Sequence, residues 1–279
     1  MDRRPLLASR DLAEFSGSRM FDIRWYLDGR DGYQSYLAGH LPGASFIDLD
    51  ATATSVAQPT AGRHPLPSPE VFVQAIAMLG IEPGRQVILM DDARGSIAAR
   101  LWWMLDALGI EAYVLQGGVA SLESTKLCTS PCPPMPVAPW RPPIDTWPRS
   151  RIVTTDAIES DPSRYLLLDA RATTRYLGIE EPIDRIGGHI PGARSLPWPT
   201  MLDLLETEGW RSDSRIQAIL NDDRQLVAYC GSGVTACALV LAFRAIGTEV
   251  SLYPASYSGW SSDATHPICT VDCESECVT

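Results

Sequence analysis

No apolar run in this 279-residue chain approaches the roughly 20 residues a helix needs to cross a bilayer, so no transmembrane helix is expected. The start, MDRRPLLASRDLAEF, lacks the apolar core of about 7–15 residues that a secretory signal needs, despite its Arg3-Arg4 pair. Positive charge is also short. Lys and Arg total 23 against 34 Asp and Glu, a net charge of −11, which removes the basic face of a general nucleic-acid binder. An even, regularly spaced cysteine framework is missing too. Seven irregularly placed cysteines argue against a secreted disulfide scaffold and lead us to expect a reducing, cytoplasmic setting.

What the chain does have is a 45 % hydrophobic content, enough for a sizeable core, and an internal repeat. GHLPGA at 39–44 recurs as GHIPGA at 188–193. VILMDDARGSIAARLWWML at 87–105 occupies the place of LVAYCGSGVTACALVLAF at 226–243, and FDIRWYL matches LLLDARATTRY. Between the halves lies CTSPCPPMPVAPWRPPIDTWPRS, residues 128–150, with eight prolines that exclude a helix or central strand. The expected organisation is a first domain over 1–127, a semi-extended linker over 128–150 and a second domain over 151–279.

Short apolar runs such as QVILM (86–90) and QLVAY (225–229) read as buried strands. LPSPEVFVQAIAMLG reads as a helix capped by Ser68, with Pro69 in its first turn and Gly80 closing it. Strands alternating with helices predict two α/β domains, each a mainly parallel sheet flanked by helices. The two GH(L/I)PGA turns are structural on this reading, the His bonding local backbone, because they occur in both halves.

The chemistry centres on QLVAYCGSGVTACALVLAFRAIG (225–247). Cys230 stands where a strand ends and a helix begins, the edge at which open α/β sheets bind ligands. Gly231 and Gly233 permit a loop whose backbone N–H groups turn inward, and the helix N-terminus adds positive potential. Such a cradle favours a thiolate, the nucleophile of sulfur exchange. The first half carries Asp91 at the matching place, so the fold itself does not require a sulfur there. A cysteine-dependent phosphatase would end this loop in a phosphate-clamping Arg; none follows Cys230 until Arg244, deep in the helix. Cys237 reads as a packed helix residue, and Trp102 and Trp103 as core and domain-interface residues.

With these segments, and with YSGWSSD near the end, the chain from about Ser9 to about Thr265 resembles the tandem rhodanese-domain sulfurtransferases. Within that family CGSGVT is similar to the loop of the 3-mercaptopyruvate type, whereas the thiosulfate type carries basic residues there. The resemblance implies an inactive first domain and a catalytic second one. It implies that Cys230 takes sulfur from 3-mercaptopyruvate as a persulfide, releases pyruvate, and passes the outer sulfur to cyanide or to a thiol, either a small one or a thioredoxin-like protein. The loop residues Gly231, Gly233, Val234 and Thr235 would cradle the donor. The resemblance also implies that Ser232 works with His64 and Asp50, and that two arginines bind the donor carboxylate. Arg175 matches the first; Arg185 is nearest to the second, one residue out of register. No cofactor and no resident metal is implied.

Two features depart from the family pattern. The segment between Asp50 and His64 is longer than usual. The tail CTVDCESECVT places Cys269, Cys273 and Cys277 four residues apart, a spacing for one helix face, a disordered tail or a thiol relay, with little to support zinc. The competing functions are a thiosulfate-using enzyme of the same fold and a non-catalytic rhodanese-like binding module.

Overall fold

The structure, a computed structural model, describes residues 5–122 and 127–270. It divides into two compact units, Met1–Ser55 with Leu66–Pro148, and Val56–Pro65 with Arg149–Thr279. Among the described residues no helix is long and apolar enough to cross a membrane.

The first unit has strands β1 (Leu6–Leu7), β2 (Arg19–Asp22), β3 (Ala44–Phe46), β4 (Val87–Met90) and β5 (Ala112–Leu115). They form one parallel sheet in the order β1-β5-β4-β2-β3. Every residue of β4 and β5 is buried, as expected of strands covered on both faces. Its helices are α1 (Gly32–Ala38), α2 (Leu49–Ala53), α3 (Pro69–Met78) and α4 (Ala98–Ala107). Helix α3 starts as its sequence predicts. The Ser68 hydroxyl accepts from the Val71 N–H, Pro69 opens the first turn, and Gly80 leaves the helix at φ +82°.

The second unit repeats the plan with four parallel strands, β6 (Tyr165–Asp169), β7 (Arg194–Ser195), β8 (Gln225–Tyr229) and β9 (Ser251–Leu252), in the order β7-β6-β8-β9. Helices α5 (Thr155–Ser160), α6 (Thr173–Tyr176), α7 (Trp198–Glu206), α8 (Ser214–Leu220), α9 (Ala236–Ala245) and α10 (Ser256–Trp260) complete it. The α/β architecture read from the repeat is the one observed.

The boundaries differ from the sequence expectation in two places. The proline-rich stretch is extended, but up to Pro148 it belongs to the first unit instead of standing apart. The Val137 N–H donates to the Ala77 carbonyl at 2.9 Å, and Trp147 Nε1 to the Pro67 carbonyl at 2.7 Å. The Trp147 ring packs against Phe72 and Trp103, so its apolar area anchors a segment that prolines keep out of regular structure. In the other direction, Val56–Pro65 leaves the first half of the chain and joins the second unit. That short excursion carries Arg63 and His64.

Candidate active site

Strand β8 delivers Cys230 to its C-terminal end, where the side chain is 4 % exposed. The loop that follows is fixed by close approaches. Gly233 sits at φ +82°, and a β-carbon there would come within 2.6 Å of the Pro254 carbonyl, so only glycine fits. Its N–H donates to Cys230 Sγ at 3.2 Å. The start of α10 braces the loop from behind. The Cys230 N–H donates to Ser256 Oγ, the Tyr257 N–H to the Cys230 carbonyl, and the Ser258 N–H to the Gly231 carbonyl. Val234 is buried, and Thr235 precedes the first residue of α9. Cys237 is fully buried on α9 with its thiol toward the Gly233 carbonyl at 3.3 Å, the packed role expected of it.

The first unit shows what this kind of loop does to an anion. Asp91, at the end of β4, is wholly buried. Its carboxylate accepts from the backbone N–H groups of Ala93, Gly95, Ile97 and Ala98 at 2.7–2.9 Å. Burial pushes the Asp91 carboxyl up, and the four N–H donors oppose that shift. A strand-to-helix loop of this design collects backbone donors at one point. In the second unit that point is held by Cys230.

Two groups from Val56–Pro65 reach the loop. His64 Nδ1 lies 2.7 Å from Ser232 Oγ, the pairing expected from the resemblance. The sequence alone does not mark Arg63. Its N–H donates to Ser258 Oγ on α10, and its guanidinium pairs with Asp184. A methyl group on Gly231 would lie 2.8 Å from Arg63 Nη2 and 3.6 Å from Arg175 Nη1 and Nη2. Two guanidinium groups therefore converge over the residue beside Cys230. Among the described residues the buried Arg63 Nε–H has no hydrogen-bond partner.

Carboxylates hold this pair. Asp184 accepts from both arginines, with Arg175 Nη2 at 2.9 Å. Glu181 accepts from Arg175 Nε and Nη2, and from the N–H groups of Ile183 and Asp184. Burial pushes Glu181 up, but the Arg175 bonds and the two N–H donors hold it below the usual carboxyl value. Arg171 stands behind, buried, bound to Asp169 and stacked 3.8 Å from the Tyr257 ring centroid. The cluster of Arg63, Arg175, Glu181 and Asp184 sums to zero charge.

Of the other expected site residues, Arg185 is exposed and makes no hydrogen bond or ion pair among the described residues. The second guanidinium at the loop belongs to Arg63 instead. Asp50 lies in the first unit, in the opening turn of α2, where its carboxylate accepts from Trp25 Nε1 at 2.9 Å. The two turn histidines bond local backbone, as read. His40 Nδ1 and His189 Nδ1 bond the carbonyls of Tyr36 and Tyr176 at 2.8 and 2.7 Å, and each ring stacks on that tyrosine. Cys269 bridges His189 and is disulfide-bonded; Cys273 and Cys277 fall outside the described residues.

A strand-end cysteine whose sulfur accepts a loop N–H, in a fold duplicated along the chain, points to one class. The rhodanese-like domain family model matches residues 11–125 and 155–263. A Mycobacterium tuberculosis protein named as a thiosulfate sulfurtransferase, SseB, is 35 % identical over 89 % of each chain. A Pseudomonas aeruginosa protein named as a 3-mercaptopyruvate sulfurtransferase is also 35 % identical, over 91 % of this chain and 92 % of its own. The crystal structure of the Escherichia coli 3-mercaptopyruvate sulfurtransferase SseA matches with a TM-score of 0.73 at 25 % identity, covering 91 % of this chain and 99 % of that one. The chain belongs to the rhodanese-like family, with the domain present twice, and is a sulfurtransferase of that family.

Proposed function

We propose that the chain takes sulfur from 3-mercaptopyruvate through a persulfide on Cys230, with the second unit catalytic and the first an inactive copy. The observation that carries the choice of donor is the 2.7 Å contact between His64 Nδ1 and Ser232 Oγ, two residues from the nucleophile. Attack of the Cys230 sulfur on the donor sulfur breaks the S–CH2 bond. The electron pair leaves on the enolate of pyruvate, which needs a proton to become pyruvate. The thiol proton lost as the S–S bond forms reaches that enolate through Ser232 and His64. Atoms balance: a thiol and 3-mercaptopyruvate become a persulfide and pyruvate. Thiosulfate would instead release sulfite, a stable anion that needs no proton.

Charge supports the same donor. Arg63 and Arg175 present guanidinium donors suited to a single carboxylate, but Asp184 and Glu181 already neutralise them. A dianionic donor gains less from a neutral cluster. Asp91 in the matching loop of the first unit supports the inactive copy, because a carboxylate there fills its own cradle. The outer sulfur of the persulfide then passes to an attacking thiol, small or thioredoxin-like, or to cyanide as thiocyanate. A nucleophile that must cycle between thiol and persulfide needs Cys230 free, as it is, and the expected setting stays the cytoplasm.

The test is sulfur transfer to cyanide from each donor, by wild type, Cys230→Ser and His64→Gln. Cys230→Ser abolishes both reactions. His64→Gln lowers turnover of 3-mercaptopyruvate by about 100-fold, the usual contribution of a positioned proton donor, and spares thiosulfate. A wild type that prefers thiosulfate, with His64→Gln affecting neither donor, overturns the choice of donor and leaves the nucleophile.

A further inference from the structure

The first half of the proline-rich stretch brings two thiols to a buried imidazole. His40 Nε2, Cys128 Sγ and Cys132 Sγ lie within 4.8 Å of one another. Cys128 forms an antiparallel bridge with His40, each residue donating its N–H to the other's carbonyl at 2.9 Å. The Cys132 N–H donates to the Tyr36 hydroxyl at 2.9 Å. The Tyr36 ring in turn stacks on His40 at 3.7 Å. Both cysteines are held by backbone bonds, so their convergence does not depend on side-chain rotamers alone.

The imidazole is set for ligation. His40 Nδ1 faces the Tyr36 carbonyl at 2.8 Å, and a carbonyl can only accept, so Nδ1 carries the proton. In the neutral ring Nε2 then keeps its lone pair, and it points at Cys128 Sγ, 3.3 Å away. A metal-bound histidine whose other ring N–H is fixed by a backbone carbonyl has this arrangement. Tetrahedral zinc with bonds of about 2.3 Å to sulfur and 2.0–2.1 Å to nitrogen sets its donors about 3.5–3.8 Å apart. Cys128 Sγ is 3.3 Å from Nε2, and all three donors lie within 4.8 Å of one another, so small side-chain adjustments would reach those separations. His40 is wholly buried, while both cysteines are half-exposed, so an ion can enter from the thiol side.

The second unit provides an internal comparison. His189 has the same bond to a tyrosine carbonyl, the same ring stack and the same paired backbone bonds, here to Cys269. CTSPC at 128–132 and CTVDC at 269–273 share their cysteine spacing. Yet Cys269 is disulfide-bonded, whereas Cys128 and Cys132 are free thiols. The histidine frame is common to both halves, and free thiols gather on it in the first.

We propose that His40, Cys128 and Cys132 form a site for a soft divalent cation of the zinc class, with a fourth position open to solvent. Binding replaces the two thiol protons with the cation and ties the proline-rich stretch to the end of α1. This site is separate from the sulfur-transfer site and departs from the expectation of a chain without metal.

The test uses the full chain, reduced with a phosphine and stripped by a chelator, then titrated with Zn2+ against a chromophoric zinc indicator. The Cys128→Ser/Cys132→Ser variant should lose one equivalent of tight binding, its affinity falling by more than about 100-fold, beyond the loss from removing an outer partner alone. Cobalt in place of zinc should give a thiolate-to-metal absorption band in the wild type that the variant lacks. Sulfur transfer by the variant should be unchanged, which also reports that it folds. Should it fail to fold, alkylation of the wild type with and without Zn2+ decides, read cysteine by cysteine in a mass spectrometer. Protection of Cys128 and Cys132 supports the site. Equal binding by wild type and variant, no tight binding by the wild type, or equal alkylation rates would overturn it.

Discussion

Arg63 and Arg185 show how much a single residue depends on the fold around it. Both are arginines near acidic or proline-rich sequence, and only one reaches the loop. Arg63 is 121 residues from its partner Asp184, so nothing local marks it. The available signal was GRHP itself, a Gly-Arg-His-Pro turn whose Gly62 sits at φ +82° and whose missing side chain leaves room for the Ala255 carbonyl. By contrast, Cys230, Ser232 and the loop glycines were legible, because a cysteine among small residues at a strand-to-helix junction has few bland explanations. We expect Arg63→Ala and Arg175→Ala each to raise the donor KM by about 10- to 100-fold with a smaller effect on kcat, the pattern of lost ground-state binding. Arg185→Ala should leave both constants unchanged; steady-state kinetics of the three variants checks this. The same anchor has an acid limit. Glu181 is held below its ordinary value of 4.5, so the stabilisation is complete above that value and is lost as pH falls through the lower one. Donor KM should therefore stay flat from neutral pH into mild acid and rise only below the ordinary carboxylate range, as a KM–pH profile would show.

The two strand-to-helix loops are one element used in two ways. The repeat made both visible, since β4 and β8 carry the same apolar run and precede the same kind of helix. What the repeat could not show is that Asp91 completes its own loop by accepting four backbone N–H groups. Removing that carboxylate strands buried donors, which cost about 1–3 kcal/mol each when left unpaired. Asp91→Ala should thus destabilise the first unit by at least about 3 kcal/mol in urea unfolding. Gly233→Ala should act differently. A side chain at φ +82° that also meets the Pro254 carbonyl strains the loop by about 1–3 kcal/mol and turns the Gly233 N–H away from Cys230. Persulfide formation should fall steeply with only modest loss of stability. Alkylation of Cys230 by iodoacetamide would separate the two effects, because a displaced loop changes its rate and a merely softened unit does not.

At the scale of the whole molecule, the architecture was legible and the ownership of segments was not. Apolar strand runs, capped helices and the repeated turns gave two parallel α/β units. Composition suggests a semi-extended linker at 128–150, yet Trp147 and the Val137 backbone bond tie the stretch to the first unit. Proline content reports which structures a segment cannot adopt, and says nothing about where its aromatic side chains find cover. The two units also differ in how they bury ionisable groups, which leads to a prediction about their stability. The second unit encloses Tyr229, Tyr253 and Tyr257, all wholly buried. Burial pushes Tyr253 and Tyr257 from 10.0 up to about 12, and raises Tyr229 well above 10.0. A phenol whose value is raised by folding stabilises the folded state fully below pH 10.0, and that contribution is lost as pH rises toward about 12. Two such shifts correspond to about 3 kcal/mol each, comparable with the whole margin of a typical domain. Alkaline titration should therefore unfold the second unit between these limits, with tyrosine ionisation and loss of circular dichroism rising together and sulfur transfer lost irreversibly at the same point. Ionisation of Tyr229, Tyr253 and Tyr257 themselves near pH 10, in a chain that keeps its full dichroism, would show that they are not enclosed as the core of the second unit requires.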